Sequence, residues 1–264
     1  MAWLAIDIAE PARLAEVFGV HAAVQALADL GDAVDGLIAQ RAVRTFLQPL
    51  VRMSDRRVIG YEALSRGPQG SPLEQPDMLF NAAALGGKTV EMELLCARLA
   101  LERTADRLPA GCLLTLKLGP EALAVALDEL PLRGRCNVWL ELTEHLPLDQ
   151  AESLASNTTR LRAQGIGLVL DDTGCGFADM NAVRLLRPEI VKLCITVIRN
   201  VDRGPPSDTD ISAIVLRLRQ LGHHVLAEGV ETEAQDAALL SLGVELAQGW
   251  LYGRPRPVDA VLAS

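Results

Sequence analysis

The sequence of 264 residues has no uninterrupted apolar run near 18 residues, so no membrane span is expected. Its opening, MAWLAIDIAE, lacks a positive n-region and carries Asp7, which argues against a secretory leader. Cysteine is sparse: Cys96, Cys112, Cys136, Cys175 and Cys194 are odd in number and show no CxxC spacing. They read as free thiols in a reducing cytosol, not as a disulfide frame or a zinc site. Basic residues are outnumbered, with 25 Lys and Arg against 34 Asp and Glu and a net charge of -9. A chain without a basic stripe has no means of tracking a nucleic-acid duplex. A small anionic ligand would need metal ions or local cations to hold it. Histidine offers no zinc set either: His223 and His224 are adjacent and point to opposite faces of a strand, and His145 reads as a loop residue. There is no GxGxxG, no P-loop and no GxSxG.

What is present is an alternation. Apolar strand-like runs occur at Arg44–Met53, Val58–Ser65, Leu113–Leu118, Val138–Leu142, Gly167–Leu170, Ile190–Leu193, His224–Ala227 and Leu246–Leu251. Helical patterns lie between them at Pro76–Arg107, broken at Gly86-Gly87, and at Pro120–Leu130, Leu148–Gln164, Asp179–Arg187, Thr209–Leu221 and Thr232–Leu242. Gly165, Gly222 and Gly243 stop three of these helices. Only Ser54–Arg57 separates the first two strands, which predicts an antiparallel hairpin. The remaining β-α order predicts a parallel sheet. Eight strands with crossover helices point to a TIM-like (β/α)8 barrel with an antiparallel first pair; an open doubly wound sheet is the rival. Residues 1–40 read as a short N-terminal αβ extension: a strand at Trp3–Ile8, a helix near Pro11–Phe18 and a second near His21–Gln40. The barrel domain is assigned to residues 41–264, and Asp202–Asp208 to a loop.

Strands of a parallel barrel are buried on both faces and should be apolar. Here Glu62, Lys117, Glu141, Glu144, Asp171, Asp172, Lys192, Glu228 and Gln248 interrupt or close them. Most lie near strand C-terminal ends, which meet at the barrel face where active sites are built. Five carboxylates at one mouth (Glu62, Glu141, Asp171, Asp172 and Glu228) repel one another unless cations join them. Oxygen-rich acidic clusters suit Mg²⁺, Mn²⁺ or Ca²⁺, and a pair of such ions can clamp a phosphodiester.

Gln48-Pro49, Tyr61-Glu62-Ala63-Leu64 with Arg66, Glu141-Leu142-Thr143-Glu144, Asp171-Asp172, Lys192, Ala227-Glu228-Gly229-Val230-Glu231-Thr232 and Gln248-Gly249 with Arg254-Pro255 occur in an order that resembles EAL domains. The resemblance runs from Arg44 to about residue 260. It implies cyclic di-GMP as ligand and its metal-dependent hydrolysis to linear pGpG. It places Glu62, Glu141, Asp171 and Asp172 at the metals, which would be Mg²⁺ or Mn²⁺. It puts Lys192 near the attacking water, with Glu228 in support. Gln48, Leu64, Arg66, Glu231 and Gln248 take ligand-contacting positions.

Three departures stand against that pattern. Lys117 occupies the position of the family's metal-binding asparagine, and an ammonium has no lone pair to donate. It could itself bring the positive charge of a metal. The family's Lys-x-Asp is Lys192-Leu193-Cys194, and the loop after the aspartates, Thr173 to Asp179, lacks the first aromatic and the serines of its DFGTGYSS-like counterpart. A degenerate EAL domain is therefore expected, binding cyclic di-GMP or a protein partner with little or no hydrolysis. An active phosphodiesterase, with water or Glu144 in place of the asparagine, and a nucleotide-independent scaffold are the alternatives. The resemblance also implies a homodimer, and the cysteine usage a cytoplasmic location. Leu4-Ala5-Ile6-Asp7-Ile8 with Phe18-Gly19 is similar to the opening of a GGDEF domain but lacks that motif, and reads as a packing or dimer element.

Overall fold

The computed structural model describes residues 20–104, 107–135, 137–143, 148–173, 179–199, 201 and 211–263; within them, the side chains of 20–28, 143, 148–151, 172, 173 and 179 are outside the description. The expected elements Trp3–Ile8, Pro11–Phe18 and Asp202–Asp208 lie outside the described residues.

Strands β1 (Arg44–Arg52) and β2 (Arg57–Arg66) form the predicted hairpin, with Gln48 opposite Glu62. Then follow β3 (Leu113–Leu118), β4 (Val138–Thr143), β5 (Gly167–Thr173), β6 (Ile190–Leu193), β7 (His224–Ala227) and β8 (Leu246–Ala247). The order β2-β3-β4-β5-β6-β7-β8-β1, with β1 also bonded to β2, is a closed ring. β2 to β8 pair in parallel and β1 is antiparallel to both neighbours. The barrel, not the open sheet, is what forms.

The helices are α1 (Val20–Gln40), α2 (Pro76–Leu85), α3 (Thr89–Thr104), α4 (Pro120–Glu129), α5 (Leu148–Ala163), α6 (Asp179–Leu186), α7 (Ile195–Ile198), α8 (Ile211–Gln220), α9 (Glu233–Ser241) and α10 (Val258–Val261). Proline at the first turn of α2 and α4 uses a position where the missing N–H costs nothing. Thr232 and Gln235 form a reciprocal capping box on α9.

Strand alternation sorts the core into two layers. Leu47, Leu116, Leu140, Leu142, Leu168, Leu170, Val191 and Val225 pack between sheet and helices. Leu50, Val169, Ile190, Leu226 and Leu246 form a separate cluster with Trp139 and Ile59, which fills the barrel. Gly167 makes room for it: a Cβ there would lie 2.5 Å from Trp139 Cδ2. A third cluster seats α1, with Val34, Leu37 and Ile38 against Leu79, Met92, Leu95 and Leu99.

Two details differ from the sequence reading. The last strand was expected to reach Leu251 but pairs only over Leu246–Ala247. Beyond it the chain bonds to the β7–α9 loop instead of a strand, through Val230 N–H to Gln248 O and Leu251 N–H to Val230 O. Helices α7 and α10 and the two-residue strand β9 (Arg256–Pro257), added outside β1, carry no expected pattern.

Candidate active site

The barrel's apolar filling and its polar mouth come from the same alternation. Two residues beyond Trp139, Val169, Ile190, Leu226 and Leu246 stand Glu141, Asp171, Lys192, Glu228 and Gln248. On the antiparallel β1 the order reverses, with Gln48 two residues before Leu50. Period two therefore carries one polar residue per strand to the same level, above an apolar plug.

Lys192 stands at the centre of that level, with its side chain only 2% exposed. Its Nζ is 2.8 Å from Glu141 Oε1, 3.0 Å from Asp171 Oδ1, and 3.6 Å from both Glu62 Oε2 and Glu228 Oε1. A second ammonium closes the ring: Lys117 Nζ donates to Asp171 Oδ2 at 2.5 Å. Gln248 Nε2 donates to Glu62 Oε2 at 2.6 Å and to Gln48 Oε1 at 3.1 Å, and Gln48 Nε2 donates to Gly253 O. In this ring the carboxylates therefore lie against two ammonium groups, Lys192 and Lys117.

The protonation states follow from this packing. Burial alone would discharge Lys192, but Glu141, Glu62, Asp171 and Glu228 outweigh it and hold the ammonium well above the ordinary lysine range. Burial would likewise raise Asp171, yet Lys192 and Lys117 pull it well below the usual carboxylate range. Burial and then the charge of Glu62 push Glu141 up. At Lys117 the lowering by burial is overcome by Asp171, so it too stays charged.

A cavity of about 440 Å³ opens beside the ring and is lined by Gln48, Glu62, Leu64, Arg66, Lys117 and Glu228, among others. Arg66 is held through Nη1 to Ser65 O, with its guanidinium 5.5 Å from the Phe46 ring centroid. A neighbouring hollow of about 280 Å³ takes Glu231 and Gln248, again with Gln48 and Glu228. The structure therefore brings together Gln48, Glu62, Leu64, Arg66, Lys117, Glu141, Asp171, Lys192, Glu228, Glu231 and Gln248. Asp172 lies beside Asp171 in β5, but its side chain is outside the described residues, as are Glu144, His145 and the loop 174–178. Cys194 is buried, with Sγ 2.7 Å from Thr196 Oγ1.

Glu93 is a residue that sequence reasoning missed. It projects from α3 into the same cavity and accepts Gly119 N–H at 2.9 Å, capping α4 from outside that helix. Burial raises its pKa. No strand-end pattern could reveal a helical residue whose role depends on where α3 docks. Trp250, 53% exposed at the rim with Arg254 stacked 3.8 Å from its ring centroid, was missed because it falls in a run read as strand, whereas it lies in the turn beyond β8.

A two-ion clamp needs several carboxylate oxygens free to face a common point. Here both oxygens of Asp171 face ammonium groups, and Glu62, Glu141 and Glu228 converge on Lys192. Among the described residues no three His, Cys, Asp or Glu side chains are arranged to hold a metal ion. As placed, these described carboxylates turn to the two ammonium groups, and the side chain of Asp172, which the resemblance puts at the metals, is outside the described residues. No helix among them is long and apolar enough to cross a membrane.

Comparison with known proteins gives a consistent result. Residues 4–255 match the EAL domain family. The cyclic di-GMP phosphodiesterase RocR of Pseudomonas aeruginosa is 33% identical over 144 residues, 53% of this chain and 37% of RocR. The solved MucR phosphodiesterase in complex with cyclic di-GMP, from the same organism, superposes with a TM-score of 0.75 at 27% identity, covering 89% of this chain and 100% of that one. BlrP1 of Klebsiella pneumoniae, solved with manganese and cyclic di-GMP, gives 0.69 at 26% identity over 82% of this chain and 57% of its own. The chain spans 17% to 53% of the length of RocR and seven other curated relatives.

Proposed function

The chain belongs to the EAL domain family, and from that premise we propose that it is a cyclic di-GMP receptor domain that hydrolyses its ligand little or not at all. The observation that carries this reading is Lys117 Nζ lying 2.5 Å from Asp171 Oδ2, while Lys192 Nζ lies 3.0 Å from Oδ1. An aspartate clasped on both oxygens by ammonium groups is a poor metal ligand, and phosphodiester hydrolysis by paired ions depends on such ligands. The binding half rests on Gln48, Leu64 and Arg66 lining the cavity beside Glu62, with Glu231 and Gln248 in the adjoining hollow, and on relatives solved with cyclic di-GMP. The ring of Glu62, Glu141, Asp171, Lys192 and Glu228 favours a second reading, an active phosphodiesterase using Mg²⁺ or Mn²⁺. A protein partner is the third, and its sign is a domain that binds no nucleotide.

The test is to incubate the purified chain with cyclic di-GMP and Mn²⁺ and follow pGpG by chromatography. Turnover far below ~1 s⁻¹ is expected, and turnover at that rate would overturn the receptor reading. The proposal includes a cytosolic homodimer and a division at residue 40, with residues 1–40 as a packing element. The third cluster, which seats α1 on α2 and α3, supports that role, and light scattering measures the dimer.

A further inference from the structure

The cavity beside the ring raises a problem of charge. Its lining carries the carboxylates Glu62, Glu93 and Glu228 against the cations Lys117 and Arg66. A phosphodiester anion entering it meets net negative charge unless a cation is placed at the point of contact. Lys192 cannot serve, because it is buried among four carboxylates and does not line the cavity. Lys117 does line it, and its side chain is 43% exposed. One of its three N–H donors goes to Asp171. That bond fixes the ammonium against the strand ends without burying it. Arg66, lining the same cavity, is a second cation that needs no added metal.

We infer that Lys117 is a resident counter-ion, which holds the phosphodiester of the ligand directly and makes nucleotide binding at this mouth independent of divalent metal. The inference rests on the receptor reading above and deepens it: the residue that spoils the metal site supplies the metal's charge. Lys117 then has two effects with one origin. Its bond to Asp171 withdraws a carboxylate from metal binding, and its two remaining N–H donors are left for the anion. Arginine at this position would keep the charge. Asparagine would remove it and offer an amide oxygen, a donor that hard cations accept.

Calorimetry on the full chain separates the outcomes. Titrations use cyclic di-GMP in EDTA, cyclic di-GMP in Mn²⁺, and Mn²⁺ alone, on the wild type, Lys117→Asn and Lys117→Arg, each first shown by thermal melting to be folded. The wild type is expected to bind nucleotide with affinities within twofold in the two media and to show no saturable Mn²⁺ binding. Lys117→Asn is expected to lose about tenfold or more of its nucleotide affinity in EDTA, and Lys117→Arg to retain most of it. A tenfold gain for the wild type on adding Mn²⁺, saturable Mn²⁺ uptake by the wild type, or unchanged affinity of Lys117→Asn in EDTA would each overturn the inference while leaving the receptor reading standing. Absence of nucleotide binding in every medium would overturn the receptor reading and this inference with it.

Discussion

Lys192 is the residue on which the mouth is built. A lone buried ammonium would discharge, and four carboxylates at one level would repel; each solves the other's problem within 3.6 Å. Removing one side of a buried ionic group leaves the other uncompensated. Lys192→Met should therefore lower stability by about 3–5 kcal/mol, read from the urea midpoint at constant m-value. Cys96 makes a contrasting case. Burial raises its thiol to about 11, against the lesser opposing effect of a hydrogen bond with Ser65. In the native protein at pH 8, Cys96 should resist iodoacetamide, while unfolded chains are labelled readily; peptide mass spectrometry decides. The sign of the linkage follows from the raised value. The fold's preference for the neutral thiol is fully present below the unfolded pKa of about 8.5 and is lost as pH rises towards the folded value of about 11. Stability should fall over that alkaline window.

Single strands and helices carry a different kind of constraint. β5 begins at Gly167 because the Trp139 ring of β4 occupies the space a side chain would need. Gly167→Ala is expected to cost about 1–3 kcal/mol through overpacking and to shift the fluorescence of Trp139; an unchanged melting temperature would contradict the account. Gly229 in the β7–α9 turn has φ +74° and a Cβ position 2.4 Å from Ile195 Cγ1, so both backbone and space demand glycine there. Helix α4 starts on a glycine with no capping side chain of its own and relies on Glu93. Glu93→Ala should destabilise by about 0.5–2 kcal/mol, whereas Glu93→Gln keeps an acceptor for Gly119 N–H and should stay near wild type in the same melt. The β-α order and most boundaries were legible because each element carries its own period and stop signal. The early end of β8 was not, because it depends on the β7–α9 loop competing for the backbone.

At the scale of the molecule, closure of the ring depends on β1 pairing antiparallel with both β2 and β8, and the third cluster joins α1 to the helices that line the cavity. Val34 of α1 is fully buried, while Glu93 and Cys96 of α3 face the cavity and Met92 and Leu95 face α1. Val34→Asp should cost more than about 2 kcal/mol, since it buries an unpaired charge. If α1 were a detached appendage, the barrel's melting temperature would not move.

The sequence by itself determined the alternation of elements, the hairpin, the family and the set of polar residues carried to one mouth, because strand period and strand-end chemistry are local and written residue by residue. It also determined that a lysine stands at position 117. Only the tertiary structure decided which charges meet. Lys117 and Lys192 are far apart along the chain, and both clasp Asp171 because β3, β5 and β6 end at one level of a closed barrel. Glu93 reaches that mouth because α3 docks beside it. Charge pairing depends on distances of a few ångströms between segments that closure alone brings together, and no local pattern encodes those distances.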